Sequence, residues 1–77
     1  MQDITSIVRW YADNEAGRPL ELLEQHGEAG AWGVSYYFVG LPTPYVATMR
    51  GYGRISIARY NNTGKCCFYR VIAGVKV

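Results

Sequence analysis

The first part of the chain has the spacing of apolar residues that is typical of a helix. Apolar side chains recur at the i, i+3, i+4, i+7 positions of one helical face: Ile4, Ile7, Val8 and Tyr11. Asp3 is a favourable N-cap and Gly17 a favourable stop, which predicts a helix over Ile4–Asn14. Trp10 lies at the edge of the apolar stripe, where we expect it to pack beneath a sheet.

A second, shorter helix is predicted after Gly17. Pro19 suits a first helical turn because its missing N–H would have no partner there. Three leucines form an apolar side, two glutamates lie on a solvated side, and Gly27 ends the helix beside His26. The residues concerned are Leu20, Leu22, Leu23, Glu21 and Glu24. With only about two turns, such a helix depends on the rest of the fold.

The remainder of the chain is rich in aromatic and β-branched residues, which favour strands. Strands are predicted over 31–39, 45–50, 54–60 and 65–72, and residues 73–77 form either a further edge strand or a frayed end. In the first strand, one set of alternate residues is the expected core face: Trp32, Val34, Tyr36 and Phe38. The predicted fold class is α+β, with two N-terminal helices packed on one face of an antiparallel three- to four-stranded β-meander.

Strand register determines which side chains face outward, because a slip of one residue exchanges the two faces. A three-residue loop over 51–53 sets Arg50 opposite Arg54 and brings apolar residues together. Its pairs are Met49 with Ile55, Ala47 with Ile57 and, on the other face, Thr48 with Ser56.

The turn between the third and fourth predicted strands also determines which residues face outward. A three-residue loop over 62–64, with Gly64 in the left-handed region, pairs Ile57 with Tyr69 and sets Ser56 opposite Arg70. Loops of two or four residues would leave Arg70 on the isoleucine side, so the three-residue loop is preferred. Under this register Arg59 falls at the end of the core face, within reach of a carboxylate on the helical layer.

This register offers basic and aromatic side chains on the open side of the sheet. We predict that they bind nucleic acid or another partner: Arg50, Tyr52, Arg54, Tyr60 and Arg70. Exposed arginine beside exposed tyrosine can pair with phosphate and stack on bases. The same two residue types are enriched among the residues that dominate protein interfaces.

The charge distribution supports a division of the single domain 1–77 into two layers. All six acids precede residue 30, where there are two arginines, so the predicted helical layer 1–30 carries −4; the aromatic-rich sheet 31–77 has six basic residues and no acid. Such asymmetry indicates either an anionic partner for the sheet or neutralisation between the two layers. Both interpretations stay open at this point.

The stretch from Arg50 to Ile57 resembles a signature of the RNA-recognition motif, basic-Gly-aromatic-Gly-aromatic-Val-x-aromatic. The basic residue, both glycines, Tyr52 and Ile55 agree with it. The resemblance implies single-stranded RNA binding on a sheet face. Arg54 and Ile57 stand where the family has aromatics, one of which is normally a base-stacking platform. That family alternates strands and helices, unlike the order predicted here, so the sequence does not indicate membership.

Catalytic chemistry is not indicated. His26 is the single histidine, and Cys66 and Cys67 are expected to be reduced, partly buried thiols. We therefore expect no enzyme, no catalytic residues, no metal and no cofactor. We also expect a protein of the cytoplasm, within the host cell if phage-encoded, without a membrane partner, since the chain shows neither a signal peptide nor an apolar run of about 20 residues. A homodimer would be one source of added stability.

Two functions are compatible with these observations. The first is a non-enzymatic module that engages nucleic acid, or a protein complex that handles nucleic acid, through its basic and aromatic sheet face. The alternative is a protein-binding inhibitor of the small phage-encoded type, such as an anti-CRISPR or other anti-defence protein, which blocks a host complex by covering its surface. The alternative rests on size and general character, with no motif behind it.

Overall fold

The chain forms one helix followed by five strands in the computed structural model, which describes residues 3–28 and 32–73. The elements are α1 (Ile4–Ala16), β1 (Leu22–His26), β2 (Gly33–Phe38), β3 (Tyr45–Gly51), β4 (Arg54–Tyr60) and β5 (Cys66–Ile72). The strands make one antiparallel sheet in the order β1-β2-β3-β4-β5, with α1 against one face. The predicted α+β class is confirmed. The predicted arrangement of two helices on a three- to four-stranded meander is wrong, because the structure has one helix and five strands in the described residues.

The helix begins and ends where its caps predict. The Asp3 side chain accepts a hydrogen bond of 2.7 Å from the Ser6 N–H, and this bond holds the pKa of the Asp3 carboxyl below its ordinary value. Gly17, with φ of +73°, closes the other end by donating its N–H to the Asp13 carbonyl. The helix thus runs two residues past the predicted end.

The predicted second helix is wrong, because Leu22–His26 is strand β1. Its Gln25 lies opposite Tyr36 of β2 and its His26 lies opposite Ser35. A helix of two turns gains little by itself, whereas a strand beside β2 satisfies its backbone groups in a ladder. Leu20, before the strand, is still buried. The optional strand predicted at 73–77 lies, beyond residue 73, outside the described residues.

The core lies between α1 and the middle strands. The fully buried side chains with the largest volumes are Tyr36, Tyr45, Ile55, Ile57, Val8 and Val34. Burial raises the pKa of the Tyr36 phenol, whose oxygen lies 3.4 Å from the Thr5 hydroxyl. Trp10 was expected beneath the sheet, but it is 59% exposed. It lies at the rim of the helix, where it packs edge-on against Tyr11.

Arg59 reaches the helical layer, as the sequence predicted. Its Nε lies 3.6 Å from the Glu15 carboxylate, at the distance of an ion pair rather than a hydrogen bond. The Tyr45 hydroxyl donates a hydrogen bond to the same carboxylate, and Arg59 also donates to the Thr43 hydroxyl. One basic charge of the sheet is therefore neutralised within the fold.

The register between β3 and β4 confirms the predicted apolar pairs. Met49 lies opposite Ile55 and Ala47 opposite Ile57. Arg50, however, does not lie opposite Arg54, because Gly51 takes that place and Arg50 is the extra residue of a β-bulge. The bulge and the two-residue turn after it add up to the same register as the expected three-residue loop.

The register between β4 and β5 contradicts the prediction. The turn itself has the expected form, since Asn61 N–H bonds to the Lys65 carbonyl and Gly64 has φ of +85°. A bulge follows at once, in which Cys67 is the extra residue. Beyond it Ile57 lies opposite Arg70, and Ser56 lies opposite Val71. Arg70 is therefore on the helix side of the sheet. Cys66 and Cys67, which were expected to be partly buried, are exposed.

Candidate functional site

The β3–β4 turn carries three of the five predicted binding residues at one end of the sheet. Tyr52 and Gly53 are its central residues, with φ of +55° and +70°, the positive values that a type I′ turn requires. The Tyr52 side chain is 97% exposed. Arg50 and Arg54, on either side of the turn, are exposed as well. The structure therefore brings three of the five predicted residues together at one exposed end of the sheet, and their role in binding stays a prediction.

Trp32, the residue before β2, lies at the same end of the sheet. Its carbonyl accepts a 2.9 Å hydrogen bond from the Met49 N–H, so it lies level with the base of the turn. Its side chain is 75% exposed, although alternation along the strand had assigned it to the core. Val34, two residues along on the same face, is buried, so the core ends between them. Gly33 lies between them and is the first residue of β2. A glycine at this position is the one feature of the sequence that could have indicated where the strand begins.

We refer to Trp32, Arg50, Tyr52 and Arg54 as the turn surface. Its charge is not neutralised by neighbouring side chains. In the described part of the chain the ion pairs are His26 with Glu24 and Arg59 with Glu15, and neither includes Arg50 or Arg54. The turn surface thus presents two aromatic faces and two unpaired guanidinium groups to solvent.

The other two predicted residues lie elsewhere. Tyr60 is at the opposite end of β4, six residues from Arg54, which corresponds to about 20 Å of strand. Arg70 is on the helix side, where its guanidinium carbon lies 4.9 Å from the centre of the Phe68 ring. The structure therefore divides the predicted site into three places. A common role for all five residues would need a partner that wraps around the sheet.

Two further observations bear on chemistry. Among residues 3–28 and 32–73, no three His, Cys, Asp or Glu side chains form a group that could hold a metal ion. Within those residues there is also no helix long and apolar enough to cross a membrane.

Comparison of the chain with models of protein families, with curated proteins and with solved structures finds no match. Nucleic-acid binding, occlusion of a host complex, a homodimer and a cytoplasmic location all stay predictions. The arrangement of side chains at the turn surface carries the functional argument.

Proposed function

We propose that this protein is a non-enzymatic module that binds single-stranded nucleic acid through its turn surface. One observation supports this more than any other. Two aromatic side chains, 75% and 97% exposed, stand at the same end of the sheet as two arginines that have no acidic partner among the described residues. Bases stack on such aromatic faces, and guanidinium groups pair with the phosphates between them.

The preference for a single strand follows from what Trp32 and Tyr52 expose. Base faces are accessible when a strand is unpaired, whereas in a duplex they are stacked on one another. Stacking tolerates every base because each has a π-face, so we expect little sequence preference. The turn surface is small, which suits contact with a few nucleotides.

The backbone at Tyr52 supports a role outside folding. A left-handed conformation costs a non-glycine residue about 1–2 kcal/mol, and Asn or Gly is the usual choice at this position of a type I′ turn. Tyr52 is the one non-glycine residue with positive φ in the described chain, and its side chain is almost wholly exposed. A bulky residue that strains the turn and packs on nothing is explained by an external contact.

Fluorescence anisotropy with labelled 15-nucleotide strands of DNA and RNA tests the proposal over a series of salt concentrations. Each phosphate contact adds about 0.7 to the slope of log K against log salt for a single strand. The double variant Arg50→Ala/Arg54→Ala should therefore bind more weakly and lower the slope by about 1.4. Arg18→Ala, an exposed arginine outside the turn surface, is the control for loss of charge. Absence of binding to either strand at low salt would contradict the proposal.

Tryptophan fluorescence tests the stacking directly. The chain has two tryptophans, so Trp10→Phe leaves Trp32 as the reporter and Trp32→Phe leaves Trp10. Addition of the oligonucleotide should quench emission from Trp32 and leave emission from Trp10 nearly unchanged. Equal quenching of both reporters would show that binding is not centred on the turn surface.

A further inference from the structure

The two edges of the sheet are protected to different degrees. Strand β1 has five residues, of which Leu23 is the extra residue of a bulge and Glu24 carries a charge. Strand β5 has its bulge near its start, at Cys67, and then continues in regular register from Phe68 to Ile72. No described strand pairs with its outer side. A regular run of strand with an unpaired edge is a template for another extended segment, and β5 offers five such residues after its bulge where β1 offers three.

A groove of about 680 Å³ lies beside this edge, between α1 and β5. Trp10 and Tyr11 form its wall on the helix, with ring centres 4.9 Å apart and ring planes at 81°. Phe68 forms its floor, 6.0 Å from Tyr11. Trp10 is 59% exposed, so the groove presents an aromatic surface that side chains of an added strand could cover.

The charges in the α1–β5 groove select the chemistry of the occupant. Glu15 is the one acid among the described residues that line it, and its carboxylate is held by Tyr45 and Arg59. Arg70 lies over the Phe68 ring and donates one hydrogen bond of 2.8 Å to the Tyr69 carbonyl. It has no acidic partner among the described residues. A guanidinium group has five N–H donors, so most remain free for a carboxylate.

We propose that the α1–β5 groove binds an extended acidic segment of a partner protein, which adds to the sheet as a strand beside β5. The backbone of the segment pairs with the outer edge of Phe68–Ile72. An apolar side chain of the segment covers Trp10, and a glutamate or aspartate pairs with Arg70. This surface is separate from the turn surface, so the inference does not depend on nucleic-acid binding.

Charge disfavours a second copy of the protein that would pair through the same edge. Strand β5 carries Arg70, is preceded by Lys65 and has no acid. Two antiparallel copies of β5 would bring like charges together and would offer Arg70 no carboxylate. An acidic peptide provides the carboxylate for Arg70 that β5 of a second copy does not have.

The test uses a capped hexapeptide of alternating valine and threonine with one central glutamate, titrated into the ¹⁵N-labelled protein. Shifts are expected at the Phe68–Ile72 amides and at the Trp10 indole N–H. Replacing the glutamate by lysine should weaken binding about tenfold or more, as expected for loss of a charged hydrogen bond. Methylating the peptide nitrogens along one edge should abolish binding if the backbone pairs with β5.

Matched variants of the protein complete the test. Arg70→Gln should bind the glutamate peptide about tenfold more weakly. Arg70→Glu should reverse the preference towards the lysine peptide. Arg18→Glu makes the same change in charge outside the groove and should leave the preference as it is. Variants are compared only if their spectra away from β5 match that of the unmodified chain.

Three outcomes would overturn the proposal. The first is an absence of shifts at Phe68–Ile72 at millimolar peptide. The second is equal affinity for the glutamate and lysine peptides. The third is growth of mass with protein concentration in light scattering that peptide does not reverse, since this would show that copies of the chain occupy the edge themselves.

Discussion

The turn surface and the α1–β5 groove both combine aromatic rings with arginine, but the structure holds them in different ways. Phe68 packs against Tyr11 and Tyr45 at ring-centre distances of 6.0 and 5.5 Å, and Arg70 lies over its ring. Among the described residues, Trp32 and Tyr52 have no aromatic-ring contact, and Arg50 and Arg54 have no ion pair. The floor of the groove is thus part of the core, whereas the turn surface contributes little to it.

This difference separates two kinds of binding surface. The floor of the groove is packed in the core before a partner arrives, which lowers the entropy that binding must remove. Side chains of the turn are free to adapt, as suits a partner without a fixed sequence. Substitutions in the groove floor should therefore change stability as well as binding, whereas truncation of an exposed side chain at the turn should change binding with little effect on stability.

The largest expected effect is that of Phe68→Ala. Truncation of a buried phenylalanine removes its contacts and leaves a cavity, so the free energy of unfolding should fall by about 3–5 kcal/mol. Tyr52→Ala should change it by about 0.5 kcal/mol or less, because the side chain is exposed. Urea unfolding followed by circular dichroism measures both.

Phe68→Leu serves as the milder partner variant if Phe68→Ala does not fold. Conservative replacement of one apolar side chain by another should cost less than the truncation. Losses of equal size for Phe68→Ala and Tyr52→Ala would show that the two surfaces are not held differently.

The next effect is that each of the two tryptophans should be needed for a different ligand. Trp32→Ala should weaken binding of single-stranded DNA about tenfold, since stacking of a base on an aromatic ring contributes about 1–3 kcal/mol. Trp10→Ala should weaken binding of the acidic peptide and leave DNA binding unchanged. Anisotropy and chemical-shift titrations of both variants measure the four affinities. If either variant lost both ligands, the two surfaces would be coupled or would be one site.

Much of the fold follows from local patterns. The spacing of Ile4, Ile7 and Val8 and the caps at Asp3 and Gly17 define α1 correctly. The segment Leu22–His26 was misread because its leucines fit a helix stripe as well as a strand. Its strand conformation depends on pairing with residues that lie from 9 (His26 to Ser35) to 16 (Leu22 to Phe38) positions further along the chain. Non-local pairing of this kind cannot be seen in a local window of sequence.

Arg70 shows why the sheet face was misjudged. The turn over 62–64 was identified from Asn62 and Gly64, but the bulge at Cys67 reverses the faces of the rest of β5. The predicted register keeps Arg70 off the helix side because burial of an unpaired charge is costly. Arg70 lies on that side and is still exposed, because α1 leaves the groove beside β5 open.

The turn surface also shows what a local sequence pattern cannot predict. Arg50, Tyr52 and Arg54 were identified from the turn chemistry, which is local. Trp32 was missed because alternation placed it with Val34 and Tyr36. How far the core extends along a strand depends on where a helix lies across the sheet, and one strand's pattern does not contain that information.

Tyr52→Asn should produce a smaller effect, with opposite signs for stability and binding. It creates Asn-Gly, the favoured pair for a type I′ turn, and removes strain at a φ of +55°. Stability should rise by about 1 kcal/mol, which is part of the cost of a left-handed tyrosine. Binding of single-stranded DNA should weaken because a stacking face is lost. If the variant were less stable, Tyr52 would have a structural role, and its strained backbone would not indicate an external contact.

The smallest expected effect is the loss of stability at acid pH that follows from the N-cap of α1, the helix that forms one wall of the groove. Because its bond to the Ser6 N–H lowers the pKa of Asp3 from 3.8, the unfolded chain binds a proton at this carboxyl at a higher pH than the folded chain does. This contribution to stability is complete above pH 3.8 and is lost as the pH falls through the lower, folded pKa.

Asp3→Asn keeps an equally good N-cap without a titrating group. The variant should match the unmodified chain near neutral pH and lose less stability from about pH 4 to about pH 2, a range that starts near the ordinary aspartate pKa and extends below it. Thermal unfolding over this range, with the Trp10 indole signal as a reporter of the groove and Trp32 as a reporter of the turn, measures the difference. Acid should perturb the Trp10 signal first, because Trp10 lies on α1, whereas the backbone of Trp32 is hydrogen-bonded to β3. Equal acid sensitivity of the two indoles would show that the helix and the turn surface open as one unit.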